Sequence, residues 1–301
     1  MFLKSLRLVA FVAAFLASVA HQPAAADIPV AQKTKIEGAW SAAGKAAKVG
    51  PAEITLLDQA RISIRKGEAF IPATEANDIM EALGNGVNSD RVGIVVGTDT
   101  ASNWMIDISW VKEGYVRDGD AQEWQADALL DNLKEGTEQG NTHRVARGFP
   151  ALDVIGWIQP PAYDSSSHRL VWSLALRDRG AAASGPQTVN YNTYALGRDG
   201  YFSLDLITDN RTITADKAMV QNLLGSLQFV PGKRYEQFNV STDKVAAYGL
   251  AALVGGVAVK KLGLLAVAGV FLLKLWKLIA LGAIALAAAM RKFFKGRSPS
   301  E

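Results

Sequence analysis

The sequence predicts an α+β fold, in which an antiparallel sheet or sheets with packed helices is followed by a C-terminal transmembrane helix or helical hairpin. Strand-like segments follow one another with few helical segments between them, which favours antiparallel pairing. A Gly-Arg-Asp-Gly turn at 197–200 joins two alternating segments and is a strong hairpin signal. An almost unbroken apolar run from Val245 to Met290 indicates the membrane end.

The first 26 residues have the pattern of a cleaved export signal. Lys4 and Arg7 precede an apolar run at 8–19, and Ala24 to Ala26 supply small residues for the cleavage site. An apolar helix of about 12 residues is roughly 18 Å long, which is short of the ~30 Å hydrocarbon core of a bilayer. Cleavage is therefore favoured over an uncleaved anchor.

Composition excludes several classes of function. The chain has no cysteine, which rules out a disulfide framework, a thiol nucleophile and a thiolate metal site. Its formal net charge is +3, but nine of its 32 basic residues lie from Lys244 onward, while Glu301 alone of its 29 acidic residues does. Residues 27–243 are therefore acidic overall and lack the basic face that nucleic-acid binding requires.

The first half of the exported region predicts short strands and one short helix. Residues 27–50 form a lead-in that is partly helical, and the stretch from Pro51 to Pro72 alternates as strands do, with a turn at Lys66-Gly67. Thr74 as N-cap and Gly84 as C-terminal stop predict a helix over 75–83.

A buried strand, a second alternating strand and a longer helix follow. Val92 to Val96 is a compact apolar strand, and the next strand presents one apolar face, formed by Trp104, Ile106, Ile108 and Trp110. Asp120 and Glu123 resemble a capping box, which predicts a helix that runs to about Gln139 and ends at Gly140-Asn141.

The second half is mostly strand. Strands are predicted at Val154–Ile158, 170–177, Val189–Leu196 and Tyr201–Ile207, followed by a helix capped by Thr214 and a last strand at Leu227–Val230. A helix on a curved sheet that leads through Leu224-Gly225-Ser226-Leu227 into a short strand resembles the arrangement in PsbP and Mog1-type domains, as an analogy of fold alone. Residues 51–240 form one domain or two subdomains that meet near 145–152.

Several local motifs together resemble one bacterial family. They are Gly114-Tyr115-Val116-Arg117-Asp118-Gly119-Asp120, the series Leu130, Gly136-Thr137, Asn141 and Arg144, Gly156-Trp157, Pro160-Pro161-Ala162-Tyr163-Asp164, Asn190-Tyr191-Asn192, Leu196-Gly197-Arg198, and Ser241 to Leu250. On these motifs, the chain is identified as a member of the domain of unknown function 2167 family, which consists of membrane-anchored envelope proteins. The resemblance implies export and a C-terminal anchor, and it implies no activity or functional residue.

The membrane end comprises an anchor at 241–290 and a basic tail at 291–301. A single crossing from about Val270 to Met290, with Val245–Val259 as a segment that lies along or dips into the outer leaflet, is favoured. It puts the four basic residues of the tail in the cytoplasm, whereas a two-helix hairpin would put them outside. The domain then faces the periplasm from the bacterial inner membrane, with the lipid bilayer as its first partner. Small residues predicted to share one helical face, and two lysines within the apolar run, mark a helix-packing surface: Ala247, Ala251, Gly255, Lys274 and Lys277.

Catalytic motifs are weak. After signal cleavage the histidines are His143 and His168, and no Gly-x-Ser-x-Gly elbow accompanies them. Ser63 to Lys66 matches Ser-x-x-Lys within a strand pattern, where the two side chains do not lie one helical turn apart. Asp118 to Asp120 lacks the glycine and the final glutamate of a calcium loop. Gly38 to Lys45 has one residue too many for a phosphate loop. We predict neither a metal nor a cofactor.

Aromatic and amide side chains of the second half suggest a weak ligand site for sugar or peptide, formed by Trp157, Tyr163, His168, Asn190 and Asn192, although core roles are preferred for the tryptophans. Three hypotheses of function follow. The first is a non-enzymatic envelope module that binds a partner or supports a membrane assembly. The second is an envelope hydrolase that uses carboxylates such as Asp107 or Asp118. The third is an accessory subunit of a membrane transporter, suggested by the two lysines of the anchor.

Overall fold

The computed structural model describes residues 30–99, 102–121 and 124–255. The helices are α1 (Val30–Ala46), α2 (Ala73–Ala82), α3 (Ala126–Ala146), α4 (Ile213–Ser226) and α5 (Leu250–Gly255), with a 3-10 turn at Tyr235–Gln237. The strands are β1 (Lys48–Val49), β2 (Ala52–Leu56), β3 (Ala60–Ile64), β4 (Glu68–Pro72), β5 (Arg91–Gly97), β6 (Met105–Val111), β7 (Tyr115–Arg117), β8 (Leu152–Asp164), β9 (Arg169–Asp178), β10 (Thr188–Leu196), β11 (Tyr201–Asp209), β12 (Gln228–Phe229) and β13 (Val245–Gly249).

Eight strands form one antiparallel sheet in the order β1-β4-β5-β6-β11-β10-β9-β8. Strands from both sides of residues 145–152 lie in this sheet. The predicted α+β class with antiparallel sheets and packed helices is confirmed. The predicted hairpin is confirmed too, since β10 and β11 pair along their whole length and end at Leu196 opposite Tyr201. Glycine is required at Gly200, where a Cβ would lie 2.1 Å from the carbonyl oxygen of Val111.

One surface of the sheet, here called the tryptophan face, carries the alternating apolar residues of β6. Trp104, just before β6, and Trp110, near its end, are 5% and 6% exposed. Helix α4 and a small antiparallel sheet of order β12-β3-β2 cover this face and form one core with it. The predicted alternation of β6 is therefore confirmed. Its even-numbered residues are buried because they meet apolar side chains of α4 and β3.

Two separate groups of elements cover the other surface, here called the opposite face. Helices α1 and α2 pack on β4 and β5 around Ile36, Trp40 and Ile79. Helices α3 and α5, together with β7 and β13, pack over β9 and β10 around Leu129, Trp172 and other apolar residues. Between the two clusters, the odd-numbered residues of β6 and β11 include polar side chains.

The structure corrects three predicted helix ends. Helix α2 begins one residue after Pro72, so Thr74 lies inside its first turn and does not cap it. Helix α4 starts at Ile213 after Thr212, so Thr214 is also inside the helix. Helix α3 continues to Ala146 because Asn141 does not end it: its side chain exchanges hydrogen bonds of 2.8 and 2.9 Å with the backbone of Leu152 and ties α3 to β8.

The beginning of the apolar tail was predicted to be a membrane helix, and this is wrong for residues 245–249. They form β13, which pairs in parallel with β7. Ala247 therefore lies in a strand and does not share a helical face with Ala251 and Gly255, which lie in α5. A strand forms here because the backbone groups of β7 supply ladder partners that the local apolar pattern does not reveal.

Within the described ranges, no helix combines the length and apolar character needed to cross a bilayer. The predicted signal at 1–26, the crossing from Val270 to Met290, the two lysines Lys274 and Lys277, and the basic tail all lie outside the residues described. These predictions therefore stay predictions.

Candidate functional site

A cavity of about 510 Å³ opens beside the turn between β8 and β9. The turn itself supplies one wall, and the segment from β12 to the 3-10 turn supplies the other. Its lining comprises Ser166, Ser167, His168, Arg169, Ala195, Leu196, Leu227, Gln228, Phe229, Arg234, Tyr235 and Glu236. His168 has a φ of 51°, a left-handed backbone conformation that is uncommon outside glycine and costs free energy unless its surroundings fix it.

A relay of hydrogen bonds, from Asp118 through Tyr163, orients the ring of His168. Tyr163 Oη donates to Asp118 Oδ2 at 2.8 Å and lies 3.3 Å from His168 Nδ1. The phenol has one hydrogen, which it donates to the Asp118 carboxylate. The hydrogen bond between Tyr163 and His168 must therefore be donated by Nδ1–H of His168. Burial first, and then the hydrogen bond to Asp118, raise the pKa of Tyr163 well above its usual value. In a neutral imidazole, this hydrogen bond places the remaining lone pair on Nε2 of His168.

A column of aromatic rings holds His168 from the other side. Its ring centroid lies 4.2 Å from that of Tyr235, which stacks on Tyr115 at 4.4 Å, and Tyr115 stacks on Phe238 at 4.0 Å. The Tyr235 hydroxyl is fixed in turn, because it donates to the carbonyl of Val116 at 2.8 Å. The imidazole is thus held on one side by a hydrogen bond and on the other by ring contact.

The serine hydroxyls of the turn are already engaged. Ser167 Oγ donates to Asp164 Oδ2 at 2.6 Å, and Ser166 Oγ donates to Asp164 Oδ1 at 2.7 Å. These bonds lower the pKa of Asp164 to about 2. Neither serine is therefore paired with His168 as a nucleophile is paired with its base. Arg169 and Arg234 give the cavity a cationic rim, with Glu236 as the acidic residue of the lining.

The same corner of the domain holds the start of the apolar tail. Asp120, two residues beyond the relay carboxylate, accepts backbone hydrogen bonds from Leu250 at 2.9 Å and Ala251 at 3.1 Å. The carboxylate satisfies the first N–H groups of α5, which have no partner inside the helix. At Gly249 a Cβ would lie 2.5 Å from this carboxylate, so glycine permits the close approach. The predicted capping role of Asp120 is therefore assigned to the wrong helix, since α3 begins later, after Gln125.

A bidentate ion pair fixes the chain just before β13. Arg198 in the hairpin turn donates to both oxygens of Asp243, at 2.6 and 2.7 Å. These hydrogen bonds hold the pKa of Asp243 well below its usual value. Asp243 also accepts the backbone N–H of Asn239 at 2.7 Å. The segment that leads into the tail is therefore tied to the large sheet by charge as well as by strand pairing.

The structure separates the five residues predicted to bind ligand. Tyr163 and His168 meet in the relay. Trp157 instead packs edge-on against Trp172, with ring centroids 6.2 Å apart, in the core under α3. Asn192 is buried within the sheet, and Asn190 lines a different cleft. Their roles in binding stay a prediction, but the residues do not surround one cavity.

Sequence inspection missed most partners of His168. Asp118 was considered only as a calcium ligand or a hydrolase carboxylate, and Tyr235 was not considered. Tyr163 lies five residues from His168, but Asp118 and Tyr235 lie 50 and 67 residues from it, and only the fold brings them together. The φ of His168 leaves no signal in the sequence either.

The other predicted carboxylate, Asp107, is part of a buried polar row on the opposite face. Arg91 donates to both of its oxygens at 2.8 Å. Asp205 lies directly across from Asp107 on β11, and Asn192 lies across from Asp205 on β10. Burial first, and then the charge of Asp107, raise the pKa of Asp205 to about 7. Asp205 Oδ1 and Asn192 Nδ2 are buried without a hydrogen-bond partner among the described residues.

The row does not have the form of a hydrolase site. Asp107 is neutralised by a bidentate arginine, and neither the cavity beside His168 nor the cleft at Asn190 has Asp107 or Asp205 in its lining. In the part of the chain that the structure covers, no group of three or more acidic or histidine side chains is placed to hold a metal ion.

Comparison with solved structures finds distant similarity. Cyanobacterial PsbP (CyanoP) from Synechocystis sp. PCC 6803 aligns with a TM-score of 0.37 and 8% identity, over 61% of this chain and 91% of that one. The Saccharomyces cerevisiae Ran-binding protein Mog1p aligns with a TM-score of 0.35 and 9% identity, over 64% and 100%. Scores this low support no conclusion about function.

Comparison with curated proteins finds no match. A family model does match, over residues 48–285, and its description is "Protein of unknown function (DUF2167)". The matched region includes nearly all of the described domain and most of the apolar tail, and it agrees with the resemblance seen in the sequence motifs. The chain belongs to the DUF2167 family.

Proposed function

We propose that this protein is a membrane-anchored binding module of the bacterial envelope, held in the inner membrane with its domain facing the periplasm, and that it binds an envelope partner without catalysing a reaction. One observation carries the proposal: the start of the apolar tail is built into the domain. Strand β13 pairs with β7, and Asp120 caps α5. A domain joined to its anchor in this way presents its surface in a fixed orientation.

Packing supports the same proposal. In α5, Leu250 is fully buried and Leu253 and Val254 are 6% and 1% exposed, in one core with Leu129 of α3. The first apolar turn of the tail therefore belongs to the domain, and the rest of the apolar run continues directly from it in the sequence. Any partner of the cavity would be held at a defined distance from the bilayer.

The cavity beside His168 is the proposed partner site. It has aromatic rings, a histidine of fixed tautomer and two arginines, which suit an extended peptide segment or a loop with an anionic group. The engaged serines and the Arg91–Asp107 pair remove the most obvious catalytic arrangements.

Labelling of single cysteines tests the location, because the chain has no cysteine of its own. Ser165→Cys lies in the exposed β8–β9 turn, and Ser300→Cys lies in the basic tail. A maleimide that does not cross membranes should label Ser165→Cys in spheroplasts and should label Ser300→Cys only after lysis. Labelling of Ser165→Cys only after lysis would contradict the proposal, and labelling of both positions in spheroplasts would favour the two-helix hairpin.

Photocrosslinking tests the binding role. A photoreactive residue in place of Glu236, on the cavity rim, should capture a defined envelope protein in intact cells. The same residue in place of Glu53, which is exposed on the small sheet, is the control and should not capture it. Equal capture at both positions, or undiminished capture in Arg234→Ala, would argue against the cavity as the partner site.

A hydrolase remains the second candidate because the relay leaves Nε2 of His168 available as a general base. Its nucleophile would be water, since the nearby serines bond to Asp164. His168→Gln separates the two candidates: a hydrolase loses its function completely, whereas a binding module keeps capture of its partner. The third candidate, a transport accessory, fails if replacing Lys274 and Lys277 by leucine leaves the partner set unchanged.

A further inference from the structure

A second cleft, of about 290 Å³, lies on the opposite face between the C-terminal ends of α2 and α3. It is separate from the cavity beside His168, since the two share no lining residue. Its floor is the end of the sheet where β10 begins and β11 ends. Asn190 of β10 lies in this floor, and Arg144 of α3 and Asp178 of β9 contribute opposite charges. A third charged residue of the lining, Asp209, is paired with Arg211 at 2.8 Å.

The two charges are half-buried and do not pair with each other. Among the described residues, Arg144 and Asp178 form no direct ion pair, and the Asp178 carboxylate has no hydrogen-bond donor. Burial raises the pKa of Asp178, and the charge of Arg144 offsets this only in part. Arg144 donates from Nε to the carbonyl of Pro150 at 2.7 Å, and its guanidinium lies over the Phe149 ring. Its two terminal nitrogens donate to none of the described residues and are available to a ligand.

The apolar part of the lining is aliphatic rather than aromatic, and further polar residues complete the cleft: Asn85, Asn103, Thr188, Thr208 and Asp209. Leu83, Met105, Leu152, Leu176 and Ile207 line the cleft, and no aromatic ring is among the lining residues described. Sugar sites commonly stack the sugar ring on an aromatic side chain, so this lining disfavours a saccharide. An aliphatic surface between two unpaired opposite charges instead fits a small zwitterion with an apolar side chain.

We propose that this cleft binds a free α-amino acid with an aliphatic side chain. Its carboxylate would take the terminal nitrogens of Arg144, its ammonium group would pair with Asp178, and its side chain would lie on Leu176 and Ile207. Asn190 supplies an amide for either polar end. A ligand with both charges compensates both half-buried groups at once, which a ligand with one charge does not. The cleft does not depend on the proposed function of the His168 cavity.

Calorimetric titration of the full chain in detergent micelles with L-leucine tests the proposal. We expect a saturable response with one site per chain. N-acetyl-leucine lacks the ammonium group and leucinamide lacks the carboxylate, and each should bind at least about ten-fold more weakly. Asp178→Asn and Arg144→Gln should each weaken L-leucine by a similar factor, whereas Arg61→Gln, exposed on the small sheet, should leave its affinity unchanged.

Asp178→Asn is the decisive variant, because it keeps the side-chain shape and breaks no hydrogen bond of the described domain. Circular dichroism confirms that each variant is folded. The proposal is overturned by the absence of heat from L-leucine up to about 10 mM, well above a weak Kd of ~1 mM. It is equally overturned if the two blocked leucine derivatives bind as well as leucine, or if folded Asp178→Asn binds leucine normally.

Discussion

The domain contains two clusters of polar side chains, which differ in whether every carboxylate has a hydrogen-bonding or ionic partner. Beside the cavity, Asp118 accepts from Tyr163, which is in turn bonded to His168, and every member of the relay has a partner. Within the sheet, Asp107 is matched by Arg91, but Asp205 faces it across the strand pair without a cation of its own. The first cluster borders a cavity, and the second is buried between the two groups of elements that cover the opposite face.

The difference indicates that the first cluster orients a side chain toward a ligand, whereas the second is part of the packed interior. A relay at a cavity wall orients one side chain toward a ligand at little cost, because water reaches the rim. A buried row must balance its charges internally, since an unpaired buried charge is strongly unfavourable. We therefore expect changes in the buried row to alter stability and changes in the relay to alter the state of His168.

The largest effect is expected from Arg91→Met. The Arg91 and Asp107 side chains are 4% and 13% exposed, so the substitution leaves the Asp107 charge buried beside Asp205. We expect a loss of about 3–5 kcal/mol in the free energy of unfolding, measured by urea titration of the full chain with tryptophan fluorescence.

Two controls sharpen this result. Arg61→Met breaks an exposed pair with Glu53 and should cost under about 1 kcal/mol. Adding Asp107→Asn to Arg91→Met removes the stranded charge and should recover much of the loss. A cost for Arg91→Met no larger than for Arg61→Met would show that the row is not a balanced buried cluster.

A smaller effect with a pH signature is expected from Asp205→Asn. The folded-state pKa of Asp205, about 7, is above the ordinary 3.8, so folding binds a proton between these values. The stabilisation of the folded state by protonation of Asp205 is therefore lost as the pH rises from about 4 to 7. Asparagine has no charge to bury, so the variant should be more stable than the natural chain at pH 8, by roughly 1–3 kcal/mol, and about equal to it near pH 4.

Thermal unfolding of the two proteins across pH 4 to 8 measures this difference. Asp199→Asn is the comparison variant, because Asp199 pairs with Lys233 in the hairpin turn and should lose stability instead of gaining it. A constant difference between Asp205→Asn and the natural chain at all pH values would contradict the assigned titration.

The smallest effect on stability is expected from Tyr163→Phe, about 0.5–1.5 kcal/mol for one hydrogen-bonded hydroxyl. Its effect on His168 should be clearer. Nitrogen NMR of the imidazole should show the Nδ1–H tautomer in the natural chain and a shift toward Nε2–H in the variant, since Nδ1 loses its acceptor. Tyr191→Phe, on the tryptophan face, is the control. An Nε2–H tautomer in the natural chain would contradict the relay.

Local patterns predicted most of the fold. The alternation of β6, the hairpin of β10 and β11 and the helix before β12 follow from side-chain period and turn chemistry, which neighbouring residues determine. The end of α3 was placed too early because Asn141 bonds to β8 instead of ending the helix. This bond joins residues that the helical pattern alone does not relate.

The errors at the membrane end and at the site have the same origin. Val245 to Gly249 are apolar enough for a membrane helix, yet they form a strand because β7, about 130 residues earlier, offers backbone partners. Asp120 caps α5 across the same distance. Likewise Tyr163 and His168 are close in the chain and were proposed together, whereas Asp118 and Tyr235 reach them only through the fold.

Hydrogen exchange at the amides of Leu250 and Ala251 tests most directly whether the domain holds the start of its own tail. With the full chain in lipid nanodiscs, both amides should exchange slowly in the natural protein. Asp120→Ala should speed them about five-fold or more, equivalent to ~1 kcal/mol for a lost cap, while Asp131→Ala on the exposed side of α3 should not. Fast exchange of both amides in the natural protein, or no change in Asp120→Ala, would contradict the account.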